Sequence, residues 1–169
     1  MLFRSDIERA RALITELRGK VDCSMRAVAH AEEAAGADVV CTLTAAAEPF
    51  YRATWLRPGQ HLNLVGSGVP STSEVEPEVV HKSRYFTDYK ESALVLAGEF
   101  IRAKQAGLVD DDHILGCIGD VLDGKITGRT DASDITVFKS LGMVAEDLVS
   151  AGFVAAEAER RGLGEVIDW

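Results

Sequence analysis

Apolar and polar positions along this chain alternate between a helical and an extended period, and the switches mark its elements. Met1-Leu2-Phe3 is apolar and reads as the end of a strand. Ile7, Ala10, Leu13, Ile14 and Leu17 then recur at helical spacing, with Gly19 where a glycine would stop the helix. Ser5 and Glu8 have the spacing of a capping box at its start. Residues 21–25 read as a short strand, 27–35 as a short helix ending near Gly36, and 37–44 as a longer strand. Small residues at 45–47 and a Pro58-Gly59 turn lead into the apolar strand that opens at His61. Residues 73–83 predict a helix or helical turn, and Arg84–Thr87 another strand. Alternating strands and helices predict an α/β protein whose parallel sheet carries helices on its faces.

The last third changes character. Residues 91–106 and 114–122 have helical periodicity, and 124–130 form a loop. The segment 134–142 leads into a long helix with Val144, Leu148 and Phe153 on one side, running to about Arg161. Asp110, Asp111 and Asp112 stand just before His113 and read as caps and first-turn carboxylates rather than as metal ligands. No metal site is expected.

Composition narrows the class. A length of 169 residues with 47% hydrophobic and 27% charged positions fits one ordinary domain with a sizeable core. The formal net charge of −9 argues against nucleic acid or an anionic membrane as a partner. Cys23, Cys41 and Cys117 are far apart and lack a Cys-x-x-Cys spacing, so they read as reduced, buried thiols. No charged-then-apolar leader opens the chain, and no apolar run approaches the roughly 18 residues of a membrane span. The expectation is a cytoplasmic protein.

Chemistry concentrates at residues 61–70. Mostly apolar residues lead into Gly66-Ser67-Gly68 and close on Pro70, as where a buried parallel strand delivers backbone to a ligand crevice. Glycine lets a ligand approach the main chain, but a tight turn needs it equally, so a plain bend and a ligand loop both fit. His61 reads as a core or edge histidine rather than a catalyst, and His30 and His81 as surface residues.

Four stretches carry a resemblance. They are Ala37-Asp38-Val39-Val40-Cys41-Thr42 with Glu48-Pro49; Trp55-Leu56-Arg57-Pro58-Gly59 through Gly66-Ser67-Gly68-Val69-Pro70 and Glu74-Val75; Gly107-Leu108-Val109 to His113-Ile114; and Gly128-Arg129-Thr130 through Thr136-Val137-Phe138-Lys139-Ser140-Leu141-Gly142. In this order they resemble the C-terminal half of the ornithine cyclodeaminase/mu-crystallin family. The resemblance implies a partial Rossmann-type parallel sheet with flanking helices, followed by C-terminal helices. Residues 1–130 would be a truncated NAD(P)-binding domain. Residues 131–169 would be the helical segment that returns to the dimerisation domain in full-length relatives.

Family members include ornithine cyclodeaminase, imine and ketimine reductases, alanine dehydrogenase and a hormone-binding crystallin, which share hydride exchange at a carbon bearing nitrogen. The resemblance thus implies NAD or NADP as cofactor, a small amino or imino acid as substrate, and a homodimer or a separate N-terminal half as partner. It assigns Arg4 to an NADP 2′-phosphate, although Arg4 also fits a solvated helix start. Thr42, Leu43 and Thr44 would line the adenine and ribose side, although hydroxyls there also suit a strand end. Val65 and Gly66 would approach the nicotinamide, with Lys139 and Ser140 reaching the same crevice; Lys139 also fits a charge in a helix's first turn.

Two departures limit what is implied. The Gly-rich turn that should precede the strand ending at Phe3 is not in this chain, nor are the family's substrate-carboxylate arginine and lysine. Its absence removes the central strand of the usual order. Two groups of strands would remain, which close up, stay gapped or recruit another chain, and weak or no NAD(P) binding is expected. In addition, Gly68 replaces the family aspartate and Thr72 a lysine. No catalytic residue is expected, and reductase-like members fit better than cyclodeaminases. The alternative is a non-catalytic remnant or a nucleotide-binding module.

Overall fold

Strands that all run the same way cannot be joined by hairpins, so each must be followed by a crossover. The computed structural model, which describes residues 1–4, 6–165 and 167, follows that rule throughout. The elements are β1 (Leu2–Phe3), α1 (Ile7–Leu17), β2 (Ala27–Val28), α2 (Ala31–Ala35), β3 (Val39–Thr42), β4 (His61–Leu64), α3 (Pro77–His81) and β5 (Arg84–Thr87). They continue with α4 (Lys90–Leu96), α5 (Gly98–Gln105), β6 (Ile114–Cys117), α6 (Ile118–Leu122), β7 (Thr136–Lys139) and α7 (Val144–Arg161).

Five strands form one parallel sheet in the order β3-β4-β7-β5-β6, while β1 and β2 pair in a separate parallel sheet. The two groups of strands remain apart. From β3 through β5 the register is continuous, so that Thr42, Leu64, Lys139 and Thr87 lie abreast, while the pairing of β5 with β6 shifts between Tyr85 and Phe86. All the strands therefore deliver their following loops to one edge.

The alternation of side chains along each strand places Leu62, Leu64, Val137 and Tyr85 on one face. Tyr51, Val75, Val79, Val80, Ala97 and Phe100 bury that face. Each large apolar side chain removed from water there contributes about 1.5–3 kcal/mol. On the opposite face Val39 and Cys41 are exposed, and His61 and Asn63 are half-buried. Among the described residues of α7 none is buried, and Val144, Leu148 and Phe153 all face solvent.

Local expectations fail where tertiary pairing overrides periodicity. Ala27–Val28, not residues 21–25, is the strand, because it matches Leu2–Phe3 in register and buries Val28. The helix expected from residue 27 accordingly begins only at Ala31. Ile114–Cys117 adds to the edge of β5 instead of starting a helix, which begins at Ile118. The helix expected over 91–106 breaks at Ala97, where Gly98 lies directly beneath the Thr72 carbonyl and a Cβ would collide with it. Strand β7, read as the approach to a helix, takes the middle of the sheet between β4 and β5.

Ser5, expected to cap α1, lies outside the described residues. Asp6 accepts from the Glu8 and Arg9 amides at 2.9 and 3.4 Å and caps the helix. The cysteines are free, but Cys23 and Cys41 are exposed and Cys117 is only half-buried, because Cys41 faces the uncovered side of β3. Among the described residues no helix is long and apolar enough to cross a membrane.

Candidate functional site

In an open parallel sheet the C-terminal ends of the strands are where ligands meet backbone. Here that edge consists of Leu43 after β3, Val65 and Gly66 after β4, Ser140 after β7 and Asp88 after β5. Leu43 is 72% exposed and Val65 41% exposed, so two apolar side chains stand side by side at adjacent strand ends. Gly68, beyond them, has nothing within 4 Å of where a Cβ would lie. The result is an open apolar shelf with bare backbone at its rim.

Buried carboxylates hold this shelf together. Glu74, 1% exposed, accepts from Thr42 Oγ1 at 2.6 Å, the Thr44 amide at 2.5 Å, Thr44 Oγ1 at 2.7 Å and the Gly66 amide at 2.9 Å. It ties the loop after β3 to the turn after β4. Asp88 does the same on the other side, accepting from the Tyr89 amide at 2.8 Å and from the Leu141 and Gly142 amides at 2.6 Å each. That links the end of β5 to the exit of β7.

Between these two clamps lies a buried ion pair. Lys139 Nζ is 3.2 Å from Glu99 Oε1, with side chains 0% and 1% exposed, and it also donates to the Ser67 carbonyl. Tyr85 donates to the same Glu99 oxygen at 3.4 Å, while Glu99 Oε2 has no partner. Burial pushes the Glu99 carboxyl above its ordinary 4.5, with Lys139 opposing the rise. Burial, reinforced by Glu99, also pushes the Tyr85 hydroxyl well above 10.0.

The residues expected in a crevice thus separate into groups. Thr42, Leu43, Thr44, Val65, Gly66, Lys139 and Ser140 converge on one edge of one sheet. Of these Leu43 and Val65 present exposed side chains. Thr42 is buried with its hydroxyl on Glu74, and Lys139 lies beneath the turn, in a strand rather than a helix's first turn. Arg4 is exposed just after β1 and belongs to the other sheet.

His61 sits on the far face of the sheet, 2.8 Å from Thr136 Oγ1 and 3.1 Å from Asn63 Oδ1. Asp110 caps a helical turn and Asp111 pairs with Lys104 at 2.5 Å. Concavities of about 180 and 150 Å³ lie elsewhere, beside Asp38, Arg57 and Gln60 at the opposite end of the strands and beneath α6 near Val121. The shelf lies apart from both, where the loops of four strands meet.

Glu74, Asp88 and Glu99 are the residues that sequence reasoning gave no role. Glu74 lies in one of the four stretches that carry the family resemblance, and Lys139 gives a signal of its own. It falls in phase with Val137 on a strand, and a charge on the core side of a strand requires a buried partner.

The family profile of the ornithine cyclodeaminase/mu-crystallin family matches residues 2–162. The chain belongs to that family. It is 33% identical to the ketimine reductase mu-crystallin of Mus musculus over 147 residues, covering 86% of this chain and 44% of the relative. Its fold superposes on a Thermococcus litoralis Δ1-pyrroline-2-carboxylate reductase in complex with NADH and L-proline. The TM-score is 0.91 at 29% identity, covering 98% of this chain and 51% of that one. An archaeal alanine dehydrogenase dimer with bound NAD gives 0.85 at 27%, covering 99% and 51%. The chain spans about half the length of the relatives it matches. The Rossmann-like parallel sheet with flanking helices is therefore the family's, and the reductase and the dehydrogenase that it superposes on were solved with NADH and NAD.

Proposed function

We propose that this chain forms the nicotinamide-side wall of an NAD(P) crevice, in a protein that exchanges hydride at a nitrogen-bearing carbon of a small amino or imino acid. The observation that carries this reading is the convergence of the in-register ends of β3, β4 and β7 on an exposed apolar shelf flanked by Gly66 and Gly68. A flat nicotinamide ring needs an apolar platform and backbone it can approach closely. Val65 supplies the platform and Gly66 and Gly68 the approachable backbone, while Leu43 continues the shelf toward the rest of the nucleotide. The cofactor would carry the hydride, while this chain's residues bind and orient it.

We assign Thr42, Leu43 and Thr44 to the adenine and ribose side, and Val65 and Gly66 to the nicotinamide side. We assign Lys139 and Ser140 to the support of the same rim, and Arg4 to a 2′-phosphate. We read the body of the crevice as extending from residue 1 through β7. The exposed stripe of α7 is then the surface that meets a dimerisation domain or a second copy. Three unpaired cysteines suit a reducing cytoplasm, where we place the protein.

A second reading, a nucleotide-binding module without catalysis, draws on a specific observation. Glu74, Asp88 and Glu99, the carboxylates nearest the shelf, are all buried and engaged by the chain itself. None of the three is presented to a substrate, so none of them is placed to act as a general acid or base.

Titrating the labelled protein with NADH and NADPH while following backbone amide signals tests the first reading. Weak shifts, in the range of about a millimolar, confined to residues 42–44, 65–68 and 139–140 are expected, because among the described residues no Gly-rich turn presents a helix N-terminus to the pyrophosphate. Absence of any shift at those amides would remove the crevice, and low-micromolar affinity would overturn the expected weakness.

A further inference from the structure

Glu74 makes an unusual set of contacts for a carboxylate at a ligand crevice, because everything that reaches it belongs to the chain. Oε1 accepts from the Thr44 amide and hydroxyl, and Oε2 from the Thr42 hydroxyl and the Gly66 amide. A carboxylate offers about four lone-pair directions, and all four are taken. Such a group has no capacity left to accept a substrate proton or bind a cation.

The backbone on either side of it is fixed as well. The Glu74 carbonyl accepts from the Phe50 and Tyr51 amides at 3.1 and 3.0 Å, and the Tyr51 carbonyl accepts from the Glu76 amide at 3.0 Å. Residue 74 is therefore anchored to the connector between β3 and β4, while its side chain holds the ends of both strands. Gly66 lies so close to Thr44 that a Cβ would meet the Thr44 backbone and Glu74 Oε1. This places Leu43 and Val65, the exposed residues next to Thr44 and Gly66, at a separation set by Glu74.

We infer that Glu74 is a positioning residue for the crevice: its carboxylate sets the spacing between the Leu43 and Val65 walls against which a nicotinamide nucleotide lies. The inference rests on the crevice reading for its ligand, but the positioning itself is a property of the chain. A glutamine of the same shape distinguishes it from simple packing. Either orientation of the glutamine amide turns its NH2 group toward one backbone N–H, of Thr44 or of Gly66. The threonine hydroxyls can rotate to accept from it, but a backbone N–H cannot.

The test compares the full chain with Glu74→Gln by amide hydrogen exchange and by NADH titration. The Thr44 and Gly66 amides should exchange about tenfold faster in the variant, while amides of α5 and β5 keep their protection. The NADH-induced shifts at Leu43 and Val65 should need about tenfold more nucleotide. Exchange at Thr44 and Gly66 within about twofold of the parent would overturn the inference.

Should Glu74→Gln lose protection throughout, Thr44→Val decides instead, since it removes one hydroxyl donor from a half-buried site. Gly66 exchange should then rise about threefold, and an unchanged rate overturns the inference. If the parent chain shows no NADH response at Leu43 and Val65, the crevice reading fails while the exchange measurement still decides for or against Glu74.

Discussion

Lys139 and Glu99 meet at 3.2 Å inside the core, both shielded from water, with the Lys139 ammonium also held by the Ser67 carbonyl. Strand β7 is thereby bound to α5 and to the turn after β4 by one charged group. Removing one partner leaves an uncompensated buried charge, at a typical cost of about 3–5 kcal/mol. Lys139→Met should lower stability by that order in a denaturant melt. Lys139→Met with Glu99→Leu should recover most of it.

The same pair sets a pH dependence. Burial raises the Glu99 carboxyl above 4.5 and Lys139 opposes the rise, so taking Lys139 away lets it climb further. A carboxyl raised in the folded state favours folding while it is protonated, and that contribution is lost as pH rises through the folded value. Lys139→Met should therefore be relatively more stable under mildly acid conditions than at neutral pH. Melts at several pH values that show no such slope would contradict the burial of Glu99.

Two neighbouring glycines should respond oppositely. At Gly66 an added Cβ meets the Thr44 carbonyl and amide, whereas at Gly68 it meets nothing within 4 Å. Gly66→Ala should lose about 1–3 kcal/mol, as overpacked sites do, and Gly68→Ala should stay within about 0.5 kcal/mol of the parent. Thermal melts of the two variants make the comparison directly.

Asp134 gives an acid-side prediction with the opposite sign. Its carboxyl is held below 3.8, first by the Thr130 amide at 2.7 Å, then by the Thr130 hydroxyl at 2.8 Å and the Asp131 amide at 3.0 Å. A lowered carboxyl contributes stability that is complete above the unfolded value and is lost as pH falls through the folded one. Asp134→Asn should flatten that part of the acid unfolding curve below about pH 4, and an unchanged curve would count against these bonds.

Thiol accessibility separates the cysteines. Cys23 and Cys41 are exposed and Cys117 is half-buried. A disulfide reagent should modify two thiols of the native protein quickly and the third more slowly, with Cys23→Ser and Cys41→Ser each removing one fast equivalent.

Much of this arrangement was legible in the chain, and what was not has a physical reason. Arg84–Thr87 and α1 follow from local pattern because their own residues decide them. Thr42, Val65 and Lys139 are grouped by likeness to relatives, and the parallel register brings Thr42 and Lys139 abreast of Leu64, with Val65 one residue beyond. The Glu74 clamp was hidden because two of the residues it grips lie 30 and 32 positions earlier in the chain. Strand β6 was missed for a related cause: Ile114 and Leu115 suit a helix as readily as a strand, and only the edge of β5 chooses between them. The spacing of the cysteines excludes a zinc or redox pair but does not say which face of β3 is covered, and Cys41 points to the uncovered one.

Among the described residues the strand that comes last in the chain, β7, lies at the middle of the sheet. Strands β4 and β5 flank β7 and do not pair with each other. On a ribosome both must wait, each with an unsatisfied edge, until residues 136–139 have emerged. During that interval the nascent chain displays two parallel-pairing edges to its surroundings, the condition under which strands find the wrong neighbour. Closure of the core thus waits on these four residues, and substitutions in Thr136–Lys139 should reduce the yield of folded protein more than their effect on final stability would suggest.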